Sequence, residues 1–130
     1  NLNKKLMKIS LILFLLMLSS VNCFSQQDTI SAINAKDFMN KEVVVVGKAV
    51  SLKLASYGKS PNFINLDKPY PNNVFTVVIF NDHLKKLNIK LEDLKGKVIY
   101  VKGKVSTYKN DPKQIPQILN PISIEIKKEK

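Results

Sequence analysis

Lys41-Glu42-Val43-Val44-Val45-Val46-Gly47-Lys48-Ala49-Val50-Ser51-Leu52-Lys53-Leu54 decides how this 130-residue chain is read. Its density of β-branched residues argues against a helix, because two heavy atoms on Cβ restrict χ1 against the preceding turn and pack well on a pleated surface. The stretch reads as one long strand. Gly47 would weaken the interior of a flat strand, so it marks a bulge or a sharp coil. Asn40-Lys41, five residues and Gly47-Lys48 are echoed by Gly96-Lys97, five residues and Gly103-Lys104. Two long strands therefore each enter from a helix or turn and carry a glycine at the same depth.

The rest of the chain supplies three more strands. Phe63 to Leu66 and Phe75 to Phe80 are flanked by turn-rich segments, Tyr57-Gly58-Lys59-Ser60-Pro61 and Lys68-Pro69-Tyr70-Pro71-Asn72-Asn73. The echo strand runs from Val98 to Thr107. After the turn Asn110-Asp111-Pro112, a fifth strand holds Ile115, Ile118 and Leu119, is interrupted by Pro116, and continues through Ile122 to Ile126. Residues 26–33 form a polar lead-in. Asn34 is placed to cap a short helix from Ala35 to Met39, and Asp82 to cap another through Leu87. Five short strands cannot bury both faces as an open sheet. Closing them into a barrel removes the exposed edges, and the glycines permit the tight coiling. The expected fold is all-β: a five-stranded OB-fold barrel over about residues 42–126, with a short N-terminal helix and a short helix between strands three and four.

Ahead of this domain, Lys4, Lys5 and Lys8 precede the apolar run Ile9 to Leu18, which ends in the small and polar residues around Ser19 and Ser25. Spanning a membrane takes about twenty apolar residues, so no stable span is expected. The layout matches a secretory signal over residues 1–25, with cleavage after Ser25 and a mature domain of residues 26–130, resembling signal endings common in the Bacteroidetes. A competing reading has Cys23 lipidated, although Asn22 stands where that motif prefers a small residue. Export places the protein in the periplasm or outside the cell. Cut at Ser25, it contains no cysteine, so packing rather than a disulfide must hold it together.

The stretches Lys41 to Lys48, Asn62 to Leu66, Tyr70-Pro71-Asn72, Phe75 to Phe80, Gly96-Lys97-Val98 to Gly103-Lys104, and Tyr108 resemble small bacterial OB-fold domains of the nucleic-acid-binding type. The resemblance spans roughly residues 33–124 and consists of apolar positions and glycines, not a catalytic signature. Departures are Asn40, where relatives often carry Gly, and the missing glycine after Tyr108.

Composition narrows the chemistry. The chain carries 21 basic and 10 acidic residues, a net charge of +11, and every basic residue is Lys. Without Lys4, Lys5 and Lys8 the domain keeps a net charge of +8. His83, beside Asp82, is the single histidine, and neighbours on a helix point apart, so it reads as a solvent-facing or capping residue rather than a catalytic base. Asp67, Asp82, Glu92, Asp93 and Asp111 are scattered without metal-ligand spacing, so neither metal nor cofactor is expected. An OB-fold nuclease of the staphylococcal type would need a carboxylate cluster and arginines. Binding remains. On an OB barrel the outer face of strands two and three, between the loops joining strands one to two and four to five, stacks bases on aromatics while lysines track phosphates. Alternation sends Phe63, Asn65, Thr76 and Val78 outward. Lys53, Tyr57 and Lys59 belong to the first loop, and Tyr108, Lys109 and Lys113 to the second. Tyr70, between two prolines, reads as a residue that pins its own loop. The expected partner of this monomeric, non-catalytic module is single-stranded DNA or RNA. The alternative is an envelope protein or glycan, with the charge incidental.

Overall fold

The computed structural model describes residues 1–18 and 27–130. Helix α1 spans Leu2–Leu18, followed by strands β1 (Thr29–Ser31), β2 (Glu42–Lys53), β3 (Asn62–Leu66) and β4 (Thr76–Ile79), helix α2 (Asn81–Leu87), and strands β5 (Val98–Thr107), β6 (Pro116–Leu119) and β7 (Ser123–Ile126). Two 3-10 turns, Ala32–Phe38 and Leu91–Leu94, precede β2 and β5.

The strands close on themselves. β2 pairs antiparallel with β3, β3 with β4, and β6 with β5; β4 and β6 run parallel, and an antiparallel β2–β5 pairing completes the circuit. β1 and β7 extend the sheet outside this circuit, alongside β2 and β5. Register explains the core. Leu52, Ile64, Val77, Ile118 and Val105 form one cross-strand row inside the barrel. Alternation therefore buries Val43, Val45, Ile64, Leu66, Val77, Ile79, Val101 and Ile118, all eight of the aliphatics that the pattern assigns inward. Phe75, Leu91 and Leu94 fill out the same core.

The two glycines lie in the paired strands β2 and β5, where Gly47 is opposite Ile99 and Gly103 opposite Val43. Gly47 is not a bulge: the ladder slips between Ala49 and Ser51 instead. What excludes a side chain at both positions is close approach. A Cβ at Gly103 would stand 2.5 Å from Ile118 Cγ2, and one at Gly47 3.0 Å from Leu66 Cβ and 3.1 Å from Asp67 Oδ1.

Several local expectations need correction. The lead-in contains a strand, β1, because Thr29 to Ser31 can extend the sheet beside Val44 to Val46. The first helical segment is 3-10 and begins after Ser31, so Asn34 lies inside it and caps nothing; Asn40 does take the left-handed conformation that ends it, with φ 64°. Phe80, not Asp82, stands at the N-cap of α2, and its amide is held by Asn120 Oδ1 at 3.0 Å. The fifth strand is two strands: β6 closes the barrel, while β7 pairs with the outer side of β5, after Asn120 turns the chain at φ 48°. The closed circuit thus ends at Leu119 rather than near residue 126. Residues 2–15 of α1 are exposed, and among the described residues no helix is long and apolar enough to cross a membrane. Ser25, Gln26 and Cys23, on which the processing expectations rest, lie outside the described residues.

Candidate functional site

The outer face of β3, β4 and β6 carries two cross-strand rows. Phe63, Val78 and Leu119 align as an apolar row, which Lys53 of β2 continues at one end. Asn65, Thr76 and Gln117 align as a polar row between Ser51 and Ser106. The loops at residues 67–75 and 108–115 rise beside this face and convert it into a groove of about 790 Å³. Phe63 and Val78 lie on its floor, and Tyr70, Phe80 and Tyr108 contribute further aromatic surface.

Hydrogen bonds fix the polar row. Thr76 Oγ1 donates to Asn65 Oδ1 at 2.8 Å and accepts from Asn73 Nδ2 at 2.8 Å, while Asn65 Nδ2 donates to Ser51 Oγ at 3.0 Å. Asn65 and Thr76, each 8% exposed, point outward as alternation requires, yet they spend these groups on each other. The 108–115 loop is built around Asp111, whose carboxylate accepts from the amides of Lys113 and Ile115, both at 2.9 Å. Those bonds do locally what a glycine after Tyr108 would do through backbone freedom. Lys113 Nζ reaches Pro71 O at 3.3 Å and links the two loops.

The structure gathers Phe63, Thr76, Tyr108 and Lys113 along one groove, with Asn65 beneath it in the polar row and Lys53 at the end of the apolar row. Lys109 follows Tyr108 and is exposed. Tyr57 and Lys59 are not brought there. Gly58, between them, lines a second, wider concavity of about 1050 Å³ with Leu84, Lys90 and Ile126, so the tip of the first loop turns toward α2. Asn62 explains the loop's course: its Oδ1 accepts from Ala55 N at 2.8 Å, and its Nδ2 donates to Ile79 O at 3.0 Å and to Asn81 Oδ1 at 2.8 Å. Tyr70 corrects the reading that it pins its loop, since at 80% exposure its ring is free on the groove wall. Sequence reasoning also passed over Phe80, Gln117 and Leu119. Alternation could have found all three, Gln117 and Leu119 from Ile118 and Phe80 from Val78, and Asn120 Oδ1 accepts from the Phe80 amide at 3.0 Å where the strand gives way to α2.

His83 is neither solvent-facing nor a cap. Half-buried, it lies 2.6 Å from Pro121 O through Nε2 and ties α2 to the β6–β7 link. Among the described residues no three His, Cys, Asp or Glu side chains are grouped to hold a metal ion.

No protein-family model matches the chain, and no curated protein sequence matches it. Solved structures do. One chain of yeast Stn1 and Ten1 superposes with a TM-score of 0.55 at 15% identity, covering 87% of this chain and 69% of that one. The fold is an OB-fold. An OBody bound to hen egg-white lysozyme is similar at a TM-score of 0.53 and 22% identity, over 83% of this chain and all 100% of its own. Asparaginyl-tRNA synthetase of Entamoeba histolytica matches at a TM-score of 0.52 and 19% identity over 81% of this chain. This chain spans about a quarter of that synthetase, 24%. At these identities the likeness is one of fold, and the OB-fold groove is read from its own residues.

Proposed function

We propose that this OB-fold is a non-catalytic, exported module whose β3–β4–β6 groove binds single-stranded nucleic acid. The observation that carries the reading is the set of aromatic side chains that line the groove, with Lys113 in the same lining and further exposed lysines close to the aromatics across the strand pair or along the chain. Phe63 has Lys53 directly across the strand pair, Tyr70 has Lys68 two residues before it, and Tyr108 has Lys109 beside it, with all three lysines exposed. Aromatic faces accept successive bases by stacking, and point charges at the rim neutralise the phosphates between them. Lysine lacks the planar fork of arginine, so it contributes attraction without reading base edges. The neighbours with this fold include proteins named for tRNA aminoacylation, which is compatible with the reading.

Anisotropy titrations with short labelled oligonucleotides test it. Binding at low salt should weaken steeply as salt rises, in proportion to the number of phosphates contacted. Phe63→Ala should lose about 1–3 kcal/mol, the contribution of one stacked base. A groove with Pro61, Pro71 and Pro112 on its walls and an apolar row on its floor also suits an extended protein segment. That envelope-partner reading takes over if no oligonucleotide of any sequence binds at low salt.

A further inference from the structure

β7 ends the sheet and pairs on one side only, with β5. Ile126 stands opposite Ile99, and Lys127 N donates to Val98 O at 2.8 Å, so Ser123, Glu125 and Lys127 turn their amides and carbonyls toward β5. Ile124 and Ile126 turn theirs outward, where no loop or turn of the described residues meets them. A free strand edge is a ready template for another strand, and it is ordinarily blunted by charge or covered. This one carries apolar surface instead: Ile126 is 44% exposed, and Ile122, just ahead of the strand, 55%. The opposite end of the sheet differs, since β1 has three residues and its one aliphatic, Ile30, is buried.

We infer that the free edge of β7 is an interface for a second copy of this chain, paired antiparallel about a two-fold axis at Ile126. Charge is the argument for a second copy. A domain of net charge +8 repels its own kind, but beside β7 the wider concavity sets Lys85 and Lys90 against Asp82 and Asp93, so charge there cancels. On the strand itself, Glu125-Ile126-Lys127 is its own antiparallel complement. With the axis at Ile126, each Glu125 faces Lys127 of the other copy and the two Ile126 side chains meet. Opposite charges directly across a strand pair stabilise it, and like charges destabilise it. The backbone agrees, because the outward groups of Ile126 then bond to their own counterparts. An axis at Glu125 would oppose two carboxylates and call on backbone groups already bound to β5. An axis at Ile124 would leave Lys127 without Glu125 and would need Ile122 N, which already donates to Lys102 O at 2.7 Å. No residue of β7 lines the β3–β4–β6 groove, so the interface is independent of the nucleic-acid reading. The monomer expected from the sequence becomes a dimer with one continuous sheet.

The test uses the full chain with Cys23→Ser, which removes its one cysteine. Sedimentation equilibrium should show a monomer–dimer equilibrium at micromolar concentrations. Glu125→Lys and Lys127→Glu, both at exposed positions, should each shift it to monomer, because each sets like charges across the axis. An equimolar mixture of the two variants should recover the dimer, since both cross-strand pairs are then opposite in sign, and that recovery also shows that both variants are folded. The register is read by cysteine. Ile126→Cys should be oxidised readily to a disulfide-linked dimer, because Cα atoms of a hydrogen-bonded pair lie about 5.5 Å apart, within disulfide reach. Lys128→Cys should not, because its counterpart is offset by four residues along the strands, about 13 Å. A wild-type chain that sediments as a monomer up to millimolar concentration overturns the inference. So does a dimer indifferent to both charge reversals, which would associate through another surface such as the exposed α1. Lys128→Cys cross-linking as readily as Ile126→Cys would overturn the axis at Ile126.

Discussion

Gly103 has no room for a side chain: a methyl group there would lie 2.5 Å from Ile118 Cγ2, inside the barrel wall. Neither it nor Gly47 needs a positive φ, so close packing alone excludes larger residues. Gly103→Ala should therefore destabilise the fold by about 1–3 kcal/mol, the usual cost of overpacking a filled core. Gly47→Ala should cost less, because its nearest neighbours, Leu66 and Asp67, stand at 3.0 Å and 3.1 Å and Asp67 lies on the surface. Urea unfolding of the two variants gives the comparison, and an equal or reversed order would show that the clash is absorbed elsewhere. The lysines admit a similar contrast. Lys109→Gln should weaken oligonucleotide binding about equally for all sequences and lower the salt slope by roughly one phosphate contact. Lys59→Gln should do much less, since its loop tip turns toward α2.

Among the elements, the loop at residues 108–115 and the start of α2 show how side chains set what strands cannot. Asn62 is buried and fixes three groups from separate segments, Ala55, Ile79 and Asn81. Asn62→Ala should cost about 1–3 kcal/mol through the partners left unsatisfied. Thermal melts would check it, and a shift no larger than that of an exposed Asn72→Ala control would contradict it. These contacts mark the limit of the sequence. The strands were legible because β-branched runs and alternation are local signals, and because Gly47 and Gly103 repeat at one spacing. The N-cap of α2 was not, because Phe80 is held from Asn120, forty residues away. β1 was hidden for a similar reason: three residues carry no period, and their strand exists only because β2 offers an edge. Phe63 and Tyr108 could be named for the groove from alternation and loop position, whereas Tyr70 needed the loop's path. Nor could pattern reveal that Asn65 and Thr76, both on the outer face, hydrogen-bond to each other.

At the scale of the whole molecule, residues 27–130 hold eighteen lysines against ten acids, a charge of +8 spread around the barrel. Charge of that size draws in a polyanion, but it does not say where the polyanion sits. On the proposed reading the groove does, because Phe63, Tyr70, Phe80 and Tyr108 gather on the β3–β4–β6 surface, with exposed lysines near them. The larger concavity beside α2 sets Lys85 and Lys90 against Asp82 and Asp93, and its lining holds no aromatic side chain on which a base could stack. Mapping amide chemical-shift changes while a short single-stranded oligonucleotide is titrated into the labelled domain at low salt distinguishes the two surfaces directly. The account predicts that the largest changes fall on Phe63, Val78, Tyr108, Gln117 and Leu119, with Leu84, Ile89 and Ile124 nearly unmoved. Changes centred on α2 and β7, or scattered over lysines on every face with none at Phe63, would contradict it.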